Sequence, residues 1–218
     1  MSEAEGSGAA PQRRIIGVAG GSGSGKSLFA GALARRLAPR SVVLISEDDY
    51  YRRFEGPDFD PSTFDFDDPS ARDHGLLAEH LGRLRAGCPI DRPVYSFRIH
   101  APLRRRVRVE PAQWVIVEGL HLLHDPDVRA RLDFSIFLEV DDDVRFIRRL
   151  LRDTRQRGRS VRSVTDQYLA TVKPAHDRHV APAGARADLV LRFRPADGLD
   201  EARTLEHWLD QTLAALGL

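Results

Sequence analysis

The segment Gly20-Gly21-Ser22-Gly23-Ser24-Gly25-Lys26-Ser27 constrains this chain more than any other. It satisfies G-x-x-x-x-G-K-[ST]. It also follows an apolar run, Ile15 to Ala19, and precedes Leu28, Phe29, Leu33 and Leu37 at helical spacing, so the local order reads strand, loop, helix. Glycines let such a loop curl until its N–H groups converge on phosphate oxygens at a helix N-terminus. Lys26 is then placed to reach the outer phosphates, and the Ser27 hydroxyl to bind Mg²⁺. A flexible Gly/Ser turn would tolerate the glycines but gives no reason for Lys and Ser at the first helical positions. The loop alone does not separate a kinase from an NTPase or a GTP switch. Acids farther along the chain must decide.

Those acids come at the ends of further apolar runs. Val42 to Ile45 ends in Ser46, Glu47, Asp48 and Asp49; Trp114 to Val117 ends in Glu118 and Gly119. Runs of this length without alternation fit strands buried on both faces. Phe134 to Val140 reads as a fourth strand and Ala187 to Arg192 as a fifth. Helical patterns fall between them: Asp73 to Arg85, Asp141 to about Arg155, Ser163 to Val172 ending before Pro174, and a closing amphipathic helix from Glu201 to Leu216. Strands alternating with helices predict an α/β fold of the P-loop NTPase kind. Its mainly parallel five-stranded sheet should carry helices on both faces and bind ligands at the carboxyl ends of the strands.

A chain of 218 residues fits one domain, which we place over residues 13–218. Residues 1–12, small, polar or acidic, read as a disordered tail. The stretch around 50–110 reads as an insertion bearing the acceptor site, with a hairpin formed by Val94 to Phe97 and Arg106 to Val109. An arginine-rich lid falls around 145–162. Lys and Arg number 33 against 32 Asp and Glu, a net charge of +1, which gives no field to attract nucleic acid or a membrane surface. No apolar run approaches the roughly 20 residues of a membrane-spanning helix. A single cysteine, Cys88, and the lack of a basic segment leading into an apolar one point to a cytoplasmic protein.

Glu118, at a strand end beside the loop, suits Mg²⁺ or its water shell, because this ion takes carboxylate and water oxygens. Asp48 and Asp49 both compete to accept the proton of an incoming hydroxyl, and spacing alone does not choose between them. Arg145, Arg148, Arg149 and Arg152 form a ridge at i, i+3, i+4 spacing. Arg155, Arg157, Arg159 and Arg162 follow around Gly158. Such a lid can clamp a transferring phosphoryl group and exclude water. The competing reading is a solvated face with Asp141–Arg145 and Arg149–Asp153 pairs.

Read in order, the blocks Gly20 to Ser27, Ile45-Ser46-Glu47-Asp48-Asp49-Tyr50-Tyr51, Phe66-Asp67-Asp68-Pro69, Val117-Glu118-Gly119, and Arg148 to Asp153 leading into Arg157-Gly158-Arg159 resemble the phosphoribulokinase and uridine kinase family, in its uridine kinase branch. Gln167-Tyr168 and Val172-Lys173-Pro174 extend the likeness. The resemblance implies MgATP as phosphoryl donor and a pyrimidine nucleoside, uridine or cytidine, as acceptor through its ribose 5′-hydroxyl. By position it places the catalytic aspartate on Asp48, ribose binding on Asp67, and nucleoside contacts on Tyr51, Tyr95 and His100. It places lid or site arginines on Arg149, Arg152, Arg157 and Arg159, and a residue near the substrate on Gln167. It further implies homo-oligomerisation, as a tetramer.

Four places depart from the branch's usual pattern. Ser96 stands where Asp is common, and Ala101-Pro102 follows His100 where an arginine would come two residues after the histidine. Asp68 replaces a histidine, and Glu118-Gly119-Leu120-His121 is closer to the phosphoribulokinase form. A phosphoribulokinase-like or other small-metabolite kinase, and a nucleotide-binding regulator without turnover, are the alternatives.

Overall fold

The computed structural model describes residues 13–56, 59–60, 64–193 and 201–218, so the tail expected over residues 1–12 lies outside the described residues. Five strands form the main sheet: β1 (Arg14–Gly20), β2 (Val42–Ser46), β5 (Trp114–Gly119), β6 (Phe134–Val140) and β7 (Leu189–Phe193). Their order is β2-β5-β1-β6-β7, with every neighbouring pair parallel. The intervening β3 (Ile90–Ser96) and β4 (Ala101–Val109) pair antiparallel in a separate hairpin, longer than the sequence suggested.

Period two within each strand divides the core into two layers. Ile15, Ala19, Val115, Val117 and Phe137 face one side, where Leu77, Leu81 and Leu84 of α2 (His74–Arg85) and Val128 of α3 (Pro126–Arg129) cover them. Ile16, Val18, Ile116, Ile136 and Leu138 face the other. There they meet Phe29, Leu33 and Leu37 in and just after α1 (Lys26–Arg36), and Trp208 and Leu209 of α7 (Glu201–Leu216). Phe29 and Trp208 meet edge to face, with centroids 6.2 Å apart. Asp73 caps α2 by accepting a hydrogen bond from the Leu76 N–H at 3.1 Å, as its position before the apolar run implies.

The remaining helices build one wall of the site. In α4 (Asp142–Gln156) the buried positions are Arg145, Arg149 and Asp153, spaced i, i+4, i+8, whereas Ile147 and Leu151 are exposed. The helix therefore turns a charged stripe inward. Arg145 pairs with Asp142 across three residues instead of with Asp141. The segment after it corrects the expected helix over Ser163 to Val172. It begins earlier, as α5 (Val161–Gln167), and runs past Pro174 through a π-helical turn at Tyr168–Val172, α6 (Lys173–Ala175) and a second π-helical turn at His176–Val180. Proline lacks an N–H and its ring collides with the carbonyl four residues earlier in a regular helix; wider π turns move that carbonyl aside.

A cavity of about 270 Å³, lined by Arg14, Trp114, Asp133 and Phe134 among others, lies at the amino ends of the strands, away from the glycine loop.

Leu33 is fully buried between α1 and the sheet. Leu33→Ala is expected to lower unfolding free energy by about 2–5 kcal/mol, read as a lower urea midpoint at an unchanged m value.

Candidate active site

At the carboxyl edge of the sheet, the chain leaves β1 into the glycine loop and returns as α1. Gly25 occupies the N-cap of α1 with φ 94°, and no side chain caps the helix, leaving its first N–H groups for an anion. Gly23 has φ 83°, and a Cβ there would overlap the Arg145 carbonyl, so both conformation and space demand glycine. Lys26 folds back to donate to the Gly21 carbonyl at 3.0 Å. Burial pulls its ammonium below the ordinary range, against the opposing charges of Glu118, Asp48 and Glu47.

Helix α4 braces the loop from outside. Arg145 donates through Nε to the Val140 carbonyl at 3.0 Å and ion-pairs with Asp142. Arg149 donates to Ser22 Oγ at 2.8 Å and to Gln167 Oε1 at 3.0 Å. Asp153, with no exposed surface, gathers further arginines: Arg152 at 2.8 Å, Arg157 at 3.4 Å, Arg149 at 3.6 Å and Arg159 at 3.9 Å. Arg159 also donates to Gln167 at 2.5 Å. The guanidinium of Arg157 stacks over Phe97 at 4.7 Å, bringing the arginine segment against the hairpin. Arg148 instead pairs with Glu201 at 2.8 Å, while Arg155 and Arg162 are exposed. The ridge thus divides into loop-bracing, Asp153-held and surface members.

The acidic segment after β2 forms a 3₁₀ turn, Glu47–Tyr50, that points its three acids in three directions. Asp49 pairs with Arg92 of the hairpin. Asp48 Oδ1 accepts a hydrogen bond from Arg72 Nη2 at 3.2 Å, and its charge acts on both Lys26 and Glu118. The two acids that spacing left open thus have different partners. Glu47 is fully buried. It accepts hydrogen bonds from the N–H groups of Leu120 at 2.7 Å and His121 at 3.1 Å, and contacts His74 Nε2 at 2.9 Å. Burial raises its carboxyl pKa, but the His74 hydrogen bond and the Arg72 charge outweigh that and hold it far below the carboxylate range.

Glu118 pairs in register with Ser46 and accepts a hydrogen bond from its hydroxyl at 2.7 Å, and the Ser27 hydroxyl lies close enough to pull on its carboxyl. Burial lifts the Glu118 carboxyl above its ordinary range against the pull of Lys26. Ser27 and Glu118 thus juxtapose a hydroxyl and a carboxylate oxygen, a donor set that fits Mg²⁺ with phosphate and water oxygens completing its shell.

Across from the loop, Tyr51 and Tyr95 stand with ring centroids 4.8 Å apart, and Phe66 and Phe97 meet them edge on at 5.8 and 5.2 Å. His100 lies against Phe66 at 5.3 Å, with an unusual φ of 49°. Burial and the neighbouring charges of Arg159 and Arg157 lower its pKa. Asp67 is buried in the same region, and its carbonyl accepts from His121 Nε2 at 2.9 Å. This wall combines aromatic faces with a histidine and a carboxylate, chemistry suited to a planar ring bearing a polyol. Of the departures from the family pattern, Asp68 serves locally, capping a short 3₁₀ turn by accepting from Ser70 N at 2.8 Å. His121 is wholly buried beneath the site.

Sequence reasoning did not find Arg72 or the support given by Glu47. It paired Asp153 with Arg149 at i,i+4 spacing but placed the pair on a solvated face, whereas Asp153 is fully buried. Arg72 belongs to no recognised motif. A small cleft bounded by Ser24, Gly25, Leu28, Arg148, Phe193 and Trp208 also adjoins the loop.

Burial keeps His121 neutral by pulling its pKa down from 6.5 to about 3, although Glu47 opposes this. Between those values the unfolded chain takes up a proton that the folded one refuses, so stability falls as pH drops below 6.5. The urea midpoint is expected to decline from pH 7 to pH 5, and His121→Gln to reduce that slope. An unchanged slope would remove His121 as a contributor.

The Phosphoribulokinase / Uridine kinase family model matches residues 15–199. A uridine kinase of Oceanobacillus iheyensis is 39% identical over 178 residues, covering 81% of this chain and 85% of that protein. One of Chloroflexus aurantiacus is 42% identical over 177 residues, with coverage of 81% and 85%. Among solved structures, a putative fructose transport system kinase of Silicibacter sp. TM1040 superposes with a TM-score of 0.66 at 21% identity, over 83% of this chain and 90% of that one. Phosphoribulokinase of Rhodobacter spheroides gives 0.61 at 17% identity, over 84% and 71%. These two structural likenesses bear on the fold alone. With the family model spanning most of the chain and relatives near 40% identity, the chain belongs to the phosphoribulokinase / uridine kinase family.

Proposed function

We propose that this chain transfers the terminal phosphoryl group of ATP to the 5′-hydroxyl of uridine or cytidine. The observation that carries this reading is the placement of Asp48, whose charge acts on both Lys26 and Glu118. It lies on one side of the phosphate loop, and the Tyr51–Tyr95 aromatic wall begins three residues along the chain. The relatives named uridine kinase support the choice of acceptor.

In this mechanism the glycine loop and the N-terminus of α1 hold the phosphates, and Lys26 leaves the Gly21 carbonyl to meet them. Ser27 and Glu118 would hold Mg²⁺, whose positive charge would offset that of the phosphates. Tyr95 and His100 take the pyrimidine, Tyr51 flanks it, and Asp67 receives the ribose hydroxyls. Asp48 orients the 5′-hydroxyl and accepts its proton as the new O–P bond forms to the γ-phosphorus and the bond from that phosphorus to the bridging oxygen breaks, releasing ADP. Arg152, Arg157 and Arg159 move from Asp153 toward the transferring group, where their donors stabilise developing charge and displace water. Arg149 and Gln167 connect these arginines to the loop. In this reading residues 50–110 form the acceptor region and residues 145–162 the lid. We place the reaction in the cytoplasm and expect a homo-oligomer. No helix among the described residues is long and apolar enough to cross a membrane.

A coupled assay of ADP release with MgATP tests the acceptor, using uridine, cytidine, adenosine, ribulose 5-phosphate, pantothenate and no acceptor. Turnover confined to the pyrimidine nucleosides is expected. Turnover with another acceptor would relocate specificity within the kinase mechanism, and none with any acceptor would favour a regulatory nucleotide-binding role.

Asp48→Asn is expected to lower kcat by at least about 10²-fold while MgATP binding, followed by calorimetry, changes little. Unchanged turnover would remove Asp48 from the proton-accepting role.

A further inference from the structure

Arg72 follows the short 3₁₀ turn Pro69–Ala71 and precedes α2, and its side chain has no exposed surface. An isolated buried guanidinium would cost several kcal/mol in lost hydration, so its surroundings must supply charge and acceptors. They do so on every side. Nη1 donates to the Phe66 carbonyl at 3.0 Å. Nη2 donates to Asp48 Oδ1 at 3.2 Å and to the Tyr51 hydroxyl at 2.5 Å. Nε makes no hydrogen bond but lies 3.6 Å from Glu47 Oε2, an ion pair without hydrogen-bond geometry. The guanidinium plane covers the Tyr51 ring at 4.2 Å.

The partners share one property: each adjoins a different part of the acceptor site. Asp48 is its carboxylate acting on Lys26 of the loop, Tyr51 belongs to its aromatic wall, and the Phe66 carbonyl immediately precedes Asp67. Asp48 itself is 40% exposed and sits on a single 3₁₀ turn, so its rotamer is not fixed by packing alone. The planar fork of arginine, unlike a lysine ammonium, can donate in several fixed directions at once.

We propose that Arg72 is a positioning residue that locks the Asp48 carboxylate and the Tyr51 wall into one rigid unit, setting the angle at which the acceptor hydroxyl meets the terminal phosphate. The proposal rests on the reading of Asp48 as proton acceptor. Arg72 touches neither substrate and acts on the rate through Asp48. The adjacent backbone supports such rigidity: Tyr51 and Arg72 form a β-bridge, and Arg52 Nε donates to the Arg72 carbonyl at 3.2 Å.

A double-mutant cycle on the full chain tests this, with Arg72→Lys, Asp48→Asn and their combination assayed with MgATP and the panel acceptor giving the fastest turnover. Arg72→Lys keeps a positive charge beside Glu47 but loses the fork. It is expected to lower kcat about 30-fold with the MgATP dissociation constant within about threefold of the parent. In the Asp48→Asn background the same change should lower kcat by no more than about threefold, because the group it positions is already gone. Losses that multiply, an unchanged kcat for Arg72→Lys, or a matching loss of MgATP binding would each overturn the proposal. An undiminished Asp48→Asn rate would instead overturn the reading of Asp48, and the proposal with it. Should Arg72→Lys fail to fold, Tyr51→Phe decides, since it removes only the hydroxyl to which Arg72 donates. A kcat loss that vanishes in the Asp48→Asn background supports the proposal, and an unchanged kcat overturns it.

Discussion

The site depends first on Glu47, a carboxylate with no exposed surface that joins the carboxyl ends of β2 and β5. Removing such a group from water is costly, and only several donors together can offset it. Two backbone N–H groups, His74 and Arg72 supply them. The approach is so close that Gly119 has no room for a side chain, because a Cβ there would overlap Glu47. With Glu47 fixed, the 3₁₀ turn after β2 has a single orientation. Asp48 meets Arg72, and Asp49 meets Arg92 of the hairpin.

A second buried carboxylate organises the opposite wall in the same way. Asp153 holds four arginines by charge, and the backbone N–H groups of Arg157 and Arg159 donate to its carbonyl. Several like charges crowded together repel one another unless a countercharge lies among them. A triphosphate brings more negative charge than one carboxylate, so the same guanidiniums have a reason to exchange partners when nucleotide arrives. On the proposed mechanism the site has a fixed side, built on Glu47, and an exchangeable side, built on Asp153.

The charged inward stripe of α4 and the exposed Ile147 and Leu151 run against ordinary amphipathic patterning. Ordinary patterning assumes that the partner surface is apolar. Here the partner is a loop of backbone dipoles, and Arg145 and Arg149 brace it through the carbonyl and hydroxyl oxygens of Ser22. Donors on the inner face of the helix therefore meet acceptors in place of an apolar layer.

The order of apolar runs, the loop from Gly20 to Ser27 and the acids at strand ends were legible in the sequence because each is local. A buried parallel strand needs a short apolar run, and a phosphate loop needs its glycines, Lys26 and Ser27 in fixed succession. Asp48 and Asp49 are adjacent, so spacing could not tell them apart, and the turn built around Glu47 gives them different partners, Arg72 and Arg92. Pro174 marked a helix end by local rules, yet π turns carried the helix past it. Arg72, 24 residues from Asp48, reaches it only because α2 and the turn after β2 fold against the same sheet edge. The sequence by itself determined the fold class and the phosphate chemistry, since these follow from short-range geometry. Only the tertiary structure decided which buried charges hold the acceptor site in shape, because those pairings join segments whose separation along the chain carries no periodic or motif signal.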